Sequence, residues 1–342
     1  MKKLLNVLFV TLPDAYVKLD TENVCVKQGE DILQKIPLLN LEQLVLFNYF
    51  GATPQLLGEC AKRNIAVSFL SEHGQFLGTF HGESRGNVLL RKEQYRISDN
   101  DRAVDFAGSF IFGKLHNQKW VLERALRDHP LRVNVELLTK ASRFITEQHK
   151  QILSCKRIEV LRALEGNAAH SYFSAWDEMI LQNKDFFAFE GRNRRPPTDP
   201  VNALLSFAYT MLANDCRHAL ESVGLDSYVG FLHSDKPGRA SLALDLMEEL
   251  RPHFADRLVL SLINRNEMSA SDFEIQGAGA VLLTDAARKR FLSAWHQRKK
   301  EEITHPFLKE KVEWGLVPYV QALLLARTIR GDLDAYPPFL WK

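Results

Sequence analysis

The stretch GFLHSDKPGRASLALDLMEELRP, Gly230 to Pro252, sets one histidine, a tight turn and three carboxylates within a short run of chain. Lys236, Pro237, Gly238 and Arg239 interrupt regular structure after His233, because proline fixes φ and glycine reaches conformations other residues avoid. From Ser241, read as an N-cap, Leu242, Leu246 and Leu250 recur at helical spacing and mark a buried stripe. Asp245, Glu248 and Glu249 then share an arc of roughly 100° beside that stripe, at about 100° per residue. Two accounts fit. One is a helix with a solvated acidic edge and a core histidine before it. In the other, His233 and one or two carboxylates converge across the turn on a divalent cation. Hard oxygens with a single imidazole suit Mg²⁺ or Mn²⁺ better than zinc, which takes cysteine and several histidines.

Around this stretch, 342 residues exceed one small core, and a prior of about 150 residues per domain suggests two domains. With 46% hydrophobic and 25% charged residues the chain has an ordinary globular composition and can bury a large core. A net charge of +2 excludes a histone-like polycation, so any nucleic-acid surface must be a local patch. Cys25, Cys60, Cys155 and Cys216 are widely separated, which indicates neither a zinc site nor a disulfide framework and makes a reducing cytoplasm the expected compartment. The opening MKKLLNVLFV imitates a short signal peptide, but Asn6 breaks the run and Pro13 and Asp14 follow it, so a first β-strand is expected. No segment approaches the roughly 20 apolar residues of a membrane span. A soluble protein is expected.

Residues 1–96 read as short strands divided by turns, with AYVKLD and NVCVKQ alternating apolar and polar, and one embedded helix, PQLLGECAKR, capped by Thr53. Helical periodicity dominates from residue 103 to 342. The expected fold class is therefore α+β: a small, mainly β N-terminal domain (1–96), a linker (97–102) and a larger all-α domain (103–342).

Two further segments carry chemistry. In KRIEVLRALEGNAAHSYFSAW, Glu165 lies on a helical pattern and is followed by Gly166, Asn167, Ala168 and Ala169. A glycine inside a helix costs about 1 kcal/mol relative to alanine and usually answers a need for close approach. Tight helix packing and access for a phosphate backbone explain it equally. In GRNRRPPTDPVNALLSFAYTML, prolines keep Arg192, Arg194 and Arg195 in a loop. Arginine binds phosphate bidentately, so that loop suits nucleic acid, and a solvated basic loop explains it as well.

ALEGNAAHSYF, PPTDPVNALLSFAYTML and GFLHSDKPGRASLALDLMEELRP, in that order behind a β domain, resemble the CRISPR-associated integrases and endonucleases of the adaptation step. The resemblance covers essentially the whole chain, and the C-terminal end resembles the type I, subtype C members. It implies that Glu165, His233 and Glu248 hold the metal, Mg²⁺ or Mn²⁺, with Asp245 as a further acidic catalytic position and the division of labour between Asp245 and Glu248 open. Arg192, Arg194, Arg195 and Arg239 are the expected DNA contacts. The implied activity joins 3′ ends of captured DNA fragments into the CRISPR repeat beside its leader, with metal-dependent DNA cleavage as a side reaction. The implied partners are DNA, a second copy in a homodimer that uses the β domain, and a small second adaptation protein bridging two dimers; no membrane is involved. The alternative is a non-catalytic DNA-binding scaffold whose acids decorate the surface.

Overall fold

The computed structural model describes residues 7–12, 14–41, 43–71, 76–80, 82, 88–193, 196–277 and 279–342. They fall into two compact units. The first comprises residues 1–85, 285–301 and 313–316, the second residues 86–284, 302–312 and 317–342.

In the first unit, β1 (Val7–Val10) is followed by the antiparallel sheet β2 (Ala15–Asp20), β3 (Asn23–Gln28) and β4 (Asp31–Pro37). Next come β5 (Gln43–Leu46), α1 (Pro54–Lys62), β6 (Ala66–Leu70) and β7 (Phe76–Phe80), which with β1 form a sheet of order β1-β5-β6-β7. The pairs β1/β5 and β5/β6 are parallel, so α1 serves as the crossover between β5 and β6. It starts where the sequence predicts: the Leu56 amide donates to Thr53 Oγ1 at 3.2 Å and Pro54 fills the first turn. Leu44, Leu46, Leu56, Val67 and Val17 close the core between the layers.

The second unit is built from α2 (Val88–Ser98), α3 (Ala103–Asp128), α4 (Val135–Ile152), α5 (Ile158–Ser174) and α6 (Pro200–Ser222). After α6 come α7 (Ser241–Glu248), a π-helical turn (Arg251–Asp256) and α8 (Arg257–Asn264). A two-stranded sheet, β8 (Phe273–Ile275) with β9 (Val281–Leu283), interrupts the helices, so this unit is mainly rather than wholly α. The helix α9 (Asp285–Lys300) belongs to the first unit, and α10 (Val317–Arg330) to the second. No helix among the described residues is long and apolar enough to cross a membrane. All four cysteines are free.

Three expectations are corrected. The boundary does not lie at 97–102, because α2 runs through residues 88–98 and joins the helical unit. Its Gln94 is fully buried there, donating to the carbonyls of Asp226 (2.8 Å) and Val229 (2.9 Å) and accepting from the Asp226 amide (2.9 Å). Residues 285–301 return to the first unit, since helical periodicity states which face is buried and not in which core. Ser241 is the first residue of α7 rather than its cap; its hydroxyl donates to the Ser234 carbonyl at 3.1 Å.

Two buried carboxyl groups knit the helical unit. Asp256 accepts from Tyr172 on α5 (3.1 Å) and from Tyr209 on α6 (2.6 Å), while the Arg251 and Arg192 guanidiniums lie 4.7 and 5.1 Å from the centre of the Tyr209 ring. Burial pushes the Asp256 carboxyl up to about 6 against the pull of both tyrosines. Glu249 takes hydrogen bonds from Gln321 Nε2 (2.9 Å), Tyr336 Oη (2.5 Å) and the Phe339 amide (2.7 Å), which fasten the C-terminal tail. Gly113 on α3 allows this packing: a Cβ there would stand 2.8 Å from Glu249 Cβ and 3.1 Å from Pro338 Cβ.

Gly113→Ala gains about 1 kcal/mol of helix propensity but overpacks a buried junction at about 1–3 kcal/mol. The clash should win, lowering the urea-unfolding free energy; an unchanged or raised value would contradict the close packing. The folded protein keeps a proton on Asp256 up to pH about 6, whereas its ordinary value is 3.8. That contribution is full below about pH 4 and is lost as pH rises through 6, by on the order of 2–3 kcal/mol. Asp256→Asn removes this decline. Its stability relative to wild type should therefore rise between pH 4 and pH 7, and a constant difference in denaturation midpoints would refute the protonated carboxyl.

Candidate active site

The buried stripe of α7 is as the spacing predicts, with Leu242, Leu246 and Leu250 at 0%, 0% and 1% exposure. The three acids are buried too: Asp245 and Glu249 at 0% and Glu248 at 3%. The solvated acidic edge is thereby excluded. The acids also serve three different places.

Asp245 organises the loop before α7. Its Oδ2 accepts from the amides of Phe231 (2.6 Å) and Leu232 (2.9 Å), and its Oδ1 accepts from the His233 amide (3.0 Å) and stands 2.6 Å from His233 Nδ1. Both oxygens of Asp245 are therefore engaged by the loop. With Nδ1 held by a carboxylate, Nε2 is the nitrogen of His233 left for a ligand, and the ring keeps 28% exposure. Gly230 is required at this bend, since a Cβ would lie 2.8 Å from Asp245 Oδ2. From α5, Arg162 grips the same loop, donating to the Leu232 carbonyl through Nε (3.0 Å) and its terminal nitrogen (2.6 Å).

Glu165 lies one turn beyond Arg162 on α5, and Glu248 ends α7. Lys114 of α3 brings them together. Its ammonium hydrogen-bonds Glu165 Oε1 and stands 2.7 Å from Glu248 Oε2. The other oxygen of Glu248 pairs with Arg251 at 3.1 Å. Burial works to raise the Glu248 carboxyl, but Arg251, Lys114 and His233 outweigh it and hold it at about 2. Burial likewise pulls Lys114 down, yet Glu165 and Glu248 keep its ammonium above the ordinary lysine range. Among the described residues no three His, Cys, Asp or Glu side chains gather closely enough to cage a metal by themselves. The point that Glu165 and Glu248 both face is held by the lysine.

Two observations bear on whether a divalent cation fits. Glu248 Oε2 is buried, and the group it faces is the Lys114 ammonium at 2.7 Å. A buried carboxylate oxygen whose partner is a flexible ammonium can exchange that partner for another cation. Beside Glu165, a Cβ on Gly166 would meet nothing within 4 Å, so packing inside the chain does not explain that glycine and the helix face is open to an incoming group. Two carboxylates and one oriented imidazole form a donor set suited to Mg²⁺ or Mn²⁺.

The expected DNA contacts are placed less uniformly. Arg192 is drawn inward, bonded to Asn202 Oδ1 and stacked on Tyr209. Arg239 binds the Ser234 carbonyl and Ser241 Oγ (3.3 Å), bracing the turn. Arg194 and Arg195 lie outside the described residues. Sequence reasoning missed Lys114, Arg251 and Arg162. Lys114 carried a signal: it follows the buried Phe110 and Ile111 by four and three residues, a cation on the apolar stripe of a helix. Arg251 is spaced i+3 from Glu248 at the helix end.

The family described as "CRISPR associated protein Cas1" matches residues 8–297. A CRISPR-associated endonuclease Cas1 from Chlorobaculum tepidum is 50% identical, and one from Rhodospirillum rubrum 49%, each over 100% of both chains. Among solved structures, a Cas1 protein from Thermotoga maritima aligns with a TM-score of 0.81 at 21% identity over 97% of this chain and 99% of that one. A casposase bound to an integration product aligns at 0.83, with 21% identity over 98% and 94%. At such identities the structures speak for the fold alone, whereas the family match and the full-length relatives decide membership: the chain belongs to the Cas1 family of CRISPR-associated proteins.

Proposed function

We propose that this protein is a divalent-metal-dependent DNA integrase of CRISPR adaptation that also cleaves DNA. The observation that carries the reading is the meeting of Glu165 and Glu248 at one buried cation, beside a histidine whose ring is fixed by Asp245. Family membership supplies the reaction class. In strand joining, a 3′-hydroxyl attacks a phosphodiester of the repeat: a new P–O bond forms, the old P–O3′ bond breaks, and the departing 3′-oxygen takes up a proton. Water in place of the hydroxyl gives hydrolysis. Such a reaction needs charge neutralisation and alignment more than covalent help.

Glu165, Glu248 and His233 Nε2 are the groups that would hold Mg²⁺ or Mn²⁺, which when bound supplies a Lewis acid for the phosphate oxygens. Asp245 fixes the imidazole and its loop, and so acts through His233. On this reading the two acids divide the labour: Glu248, whose Oε2 faces a cation, is the ligand, and Asp245, whose oxygens face amides and the imidazole, is the positioning residue. Lys114 and Arg251 keep positive charge beside the place where phosphate charge accumulates. The partners on this reading are DNA fragments with free 3′ ends, the CRISPR repeat and leader, a second copy of the chain, and a small second adaptation protein. One structural neighbour at 23% identity, of which this chain spans 36%, is a Cas6-RT-Cas1–Cas2 complex, in keeping with such a partner. The alternative, a non-catalytic DNA-binding scaffold, requires acids at the surface; the burial of Asp245 and Glu248 weighs against it.

Glu165→Ala, His233→Ala and Glu248→Ala should each lower strand joining by at least about hundredfold while the far-ultraviolet dichroism and most DNA affinity persist, and EDTA should abolish joining by the wild type. Wild-type rates in all three variants at saturating Mn²⁺ would overturn the assignment. Replacing Arg194 and Arg195 by Ala should weaken DNA binding and reduce the salt slope of log K by roughly 0.9 for each phosphate no longer neutralised; an unchanged slope would remove that loop from the DNA surface.

A further inference from the structure

We propose that Lys114 is a built-in competitor of the divalent cation, which neutralises Glu165 and Glu248 in the DNA-free protein and releases them when a DNA phosphate takes its ammonium. The proposal rests on the reading of Glu165 and Glu248 as ligands and adds an order to loading: cation and DNA bind as a linked pair.

Charge and geometry carry it. The two carboxylates already face two cations, Lys114 between them and Arg251 on the far oxygen of Glu248. Their charges sum to zero. A divalent ion entering this group would leave it two charges in excess, in surroundings where Lys114 is 5% exposed and Glu248 4% exposed and water screens poorly. The cation is therefore weakly held unless something negative enters with it or one of the resident cations leaves.

The two residents are not alike. Arg251 is fixed by the Glu248 carboxylate and by the face of Tyr209, 4.7 Å from its guanidinium. The ammonium of Lys114 touches both carboxylates, hydrogen-bonded to Glu165 Oε1 and 2.7 Å from Glu248 Oε2. It is the resident that an ion shared by Glu165 and Glu248 has to displace. A lysine side chain is also a flexible stem with a compact charge that swings to phosphate readily. Beside it, α5 is open: Gly166 leaves clear space next to Glu165, and Glu165 itself keeps 26% exposure. A phosphate arriving over Gly166 would bring the missing negative charge to the lysine at the face where the carboxylates must be exchanged. The idle protein would then carry little metal, and cleavage would be confined to DNA already seated.

The test measures Mn²⁺ binding, by the loss of the free-ion electron paramagnetic resonance signal, in the full-length protein. It is run with and without a short duplex whose 3′ ends lack the hydroxyl, and the ions bound by the same DNA with the Glu165→Gln/Glu248→Gln protein are subtracted. DNA should lower the Mn²⁺ dissociation constant of the wild type by about tenfold or more. Lys114→Met should bind Mn²⁺ about tenfold more tightly than wild type without DNA, and the DNA effect should shrink; Lys114→Arg, which keeps the charge, should stay weak. Equal Mn²⁺ affinity with and without DNA in the wild type overturns the proposal and leaves the ligand assignment standing. That measurement needs no substitution at Lys114, so it decides the matter even if Lys114→Met fails to fold. Absence of Mn²⁺ binding that depends on Glu165 and Glu248, in every state, overturns the ligand assignment and this proposal together.

Discussion

An ammonium and two carboxylates that share one buried point set the terms for the rest of the helical unit. Taking Lys114 and Glu248 out of water costs several kcal/mol for each ion before their mutual attraction is counted, and replacing such a group with apolar side chains is often neutral or stabilising. Side-chain exposure of only 5% for Lys114 and 4% for Glu248 is thus poor economy for folding alone. The helices nevertheless converge on it: α3 brings the lysine, α5 brings Glu165 and α7 ends on Glu248. A phosphoryl-transfer site has the opposite need, for charges held in place in a medium that does not screen them. The unfavourable burial and the chemistry have the same physical source.

Holding the histidine is a separate task, given to a separate acid. Asp245 sits one helical turn before Glu248, and its two oxygens receive three backbone amides and face the imidazole Nδ1. An anion surrounded by amide donors is satisfied without a cation. Arg162 fixes the same loop from α5 through the Leu232 carbonyl. The loop is therefore braced from both helices that carry the carboxylates, and His233 is held by its own amide and its ring Nδ1.

Much of this was legible in the sequence because it depends on local periodicity. The stripe Leu242, Leu246 and Leu250, the cap at Thr53, the turn at Pro237 and Gly238, and the order of the segments around Glu165 and His233 follow from spacing and backbone chemistry. What was hidden depends on contacts far apart in the chain. Asp245 and Glu248 are both acids beside one stripe, and only the folded loop distinguishes them: one meets amides, the other meets Lys114. The lysine lies 51 residues before Glu165, on a helix whose pattern reveals a buried cation but not its partners. The same limit explains α9, whose amphipathic pattern could not name the unit it packs in.

Glu249 links the site to the far end of the chain. It adjoins Glu248, yet its carboxylate binds Gln321, Tyr336 and the Phe339 amide, and Asn117 ties the Glu249 carbonyl (2.6 Å) to the Phe339 carbonyl (2.7 Å). Neighbouring residues of α3 meet neighbouring residues at the end of α7: Lys114 reaches Glu248, and Gly113 makes room for Glu249. The helices cannot slide past each other without breaking the ion pair on one side or the tail's hydrogen bonds on the other. Burial pushes the Glu249 carboxyl up to about 7 despite those bonds, so the chain retains a strained acid in order to keep this register. A C-terminal segment remote in sequence thus helps to set the carboxylate that the proposed chemistry uses, and the register between α3 and α7 is the constraint that joins fold to site.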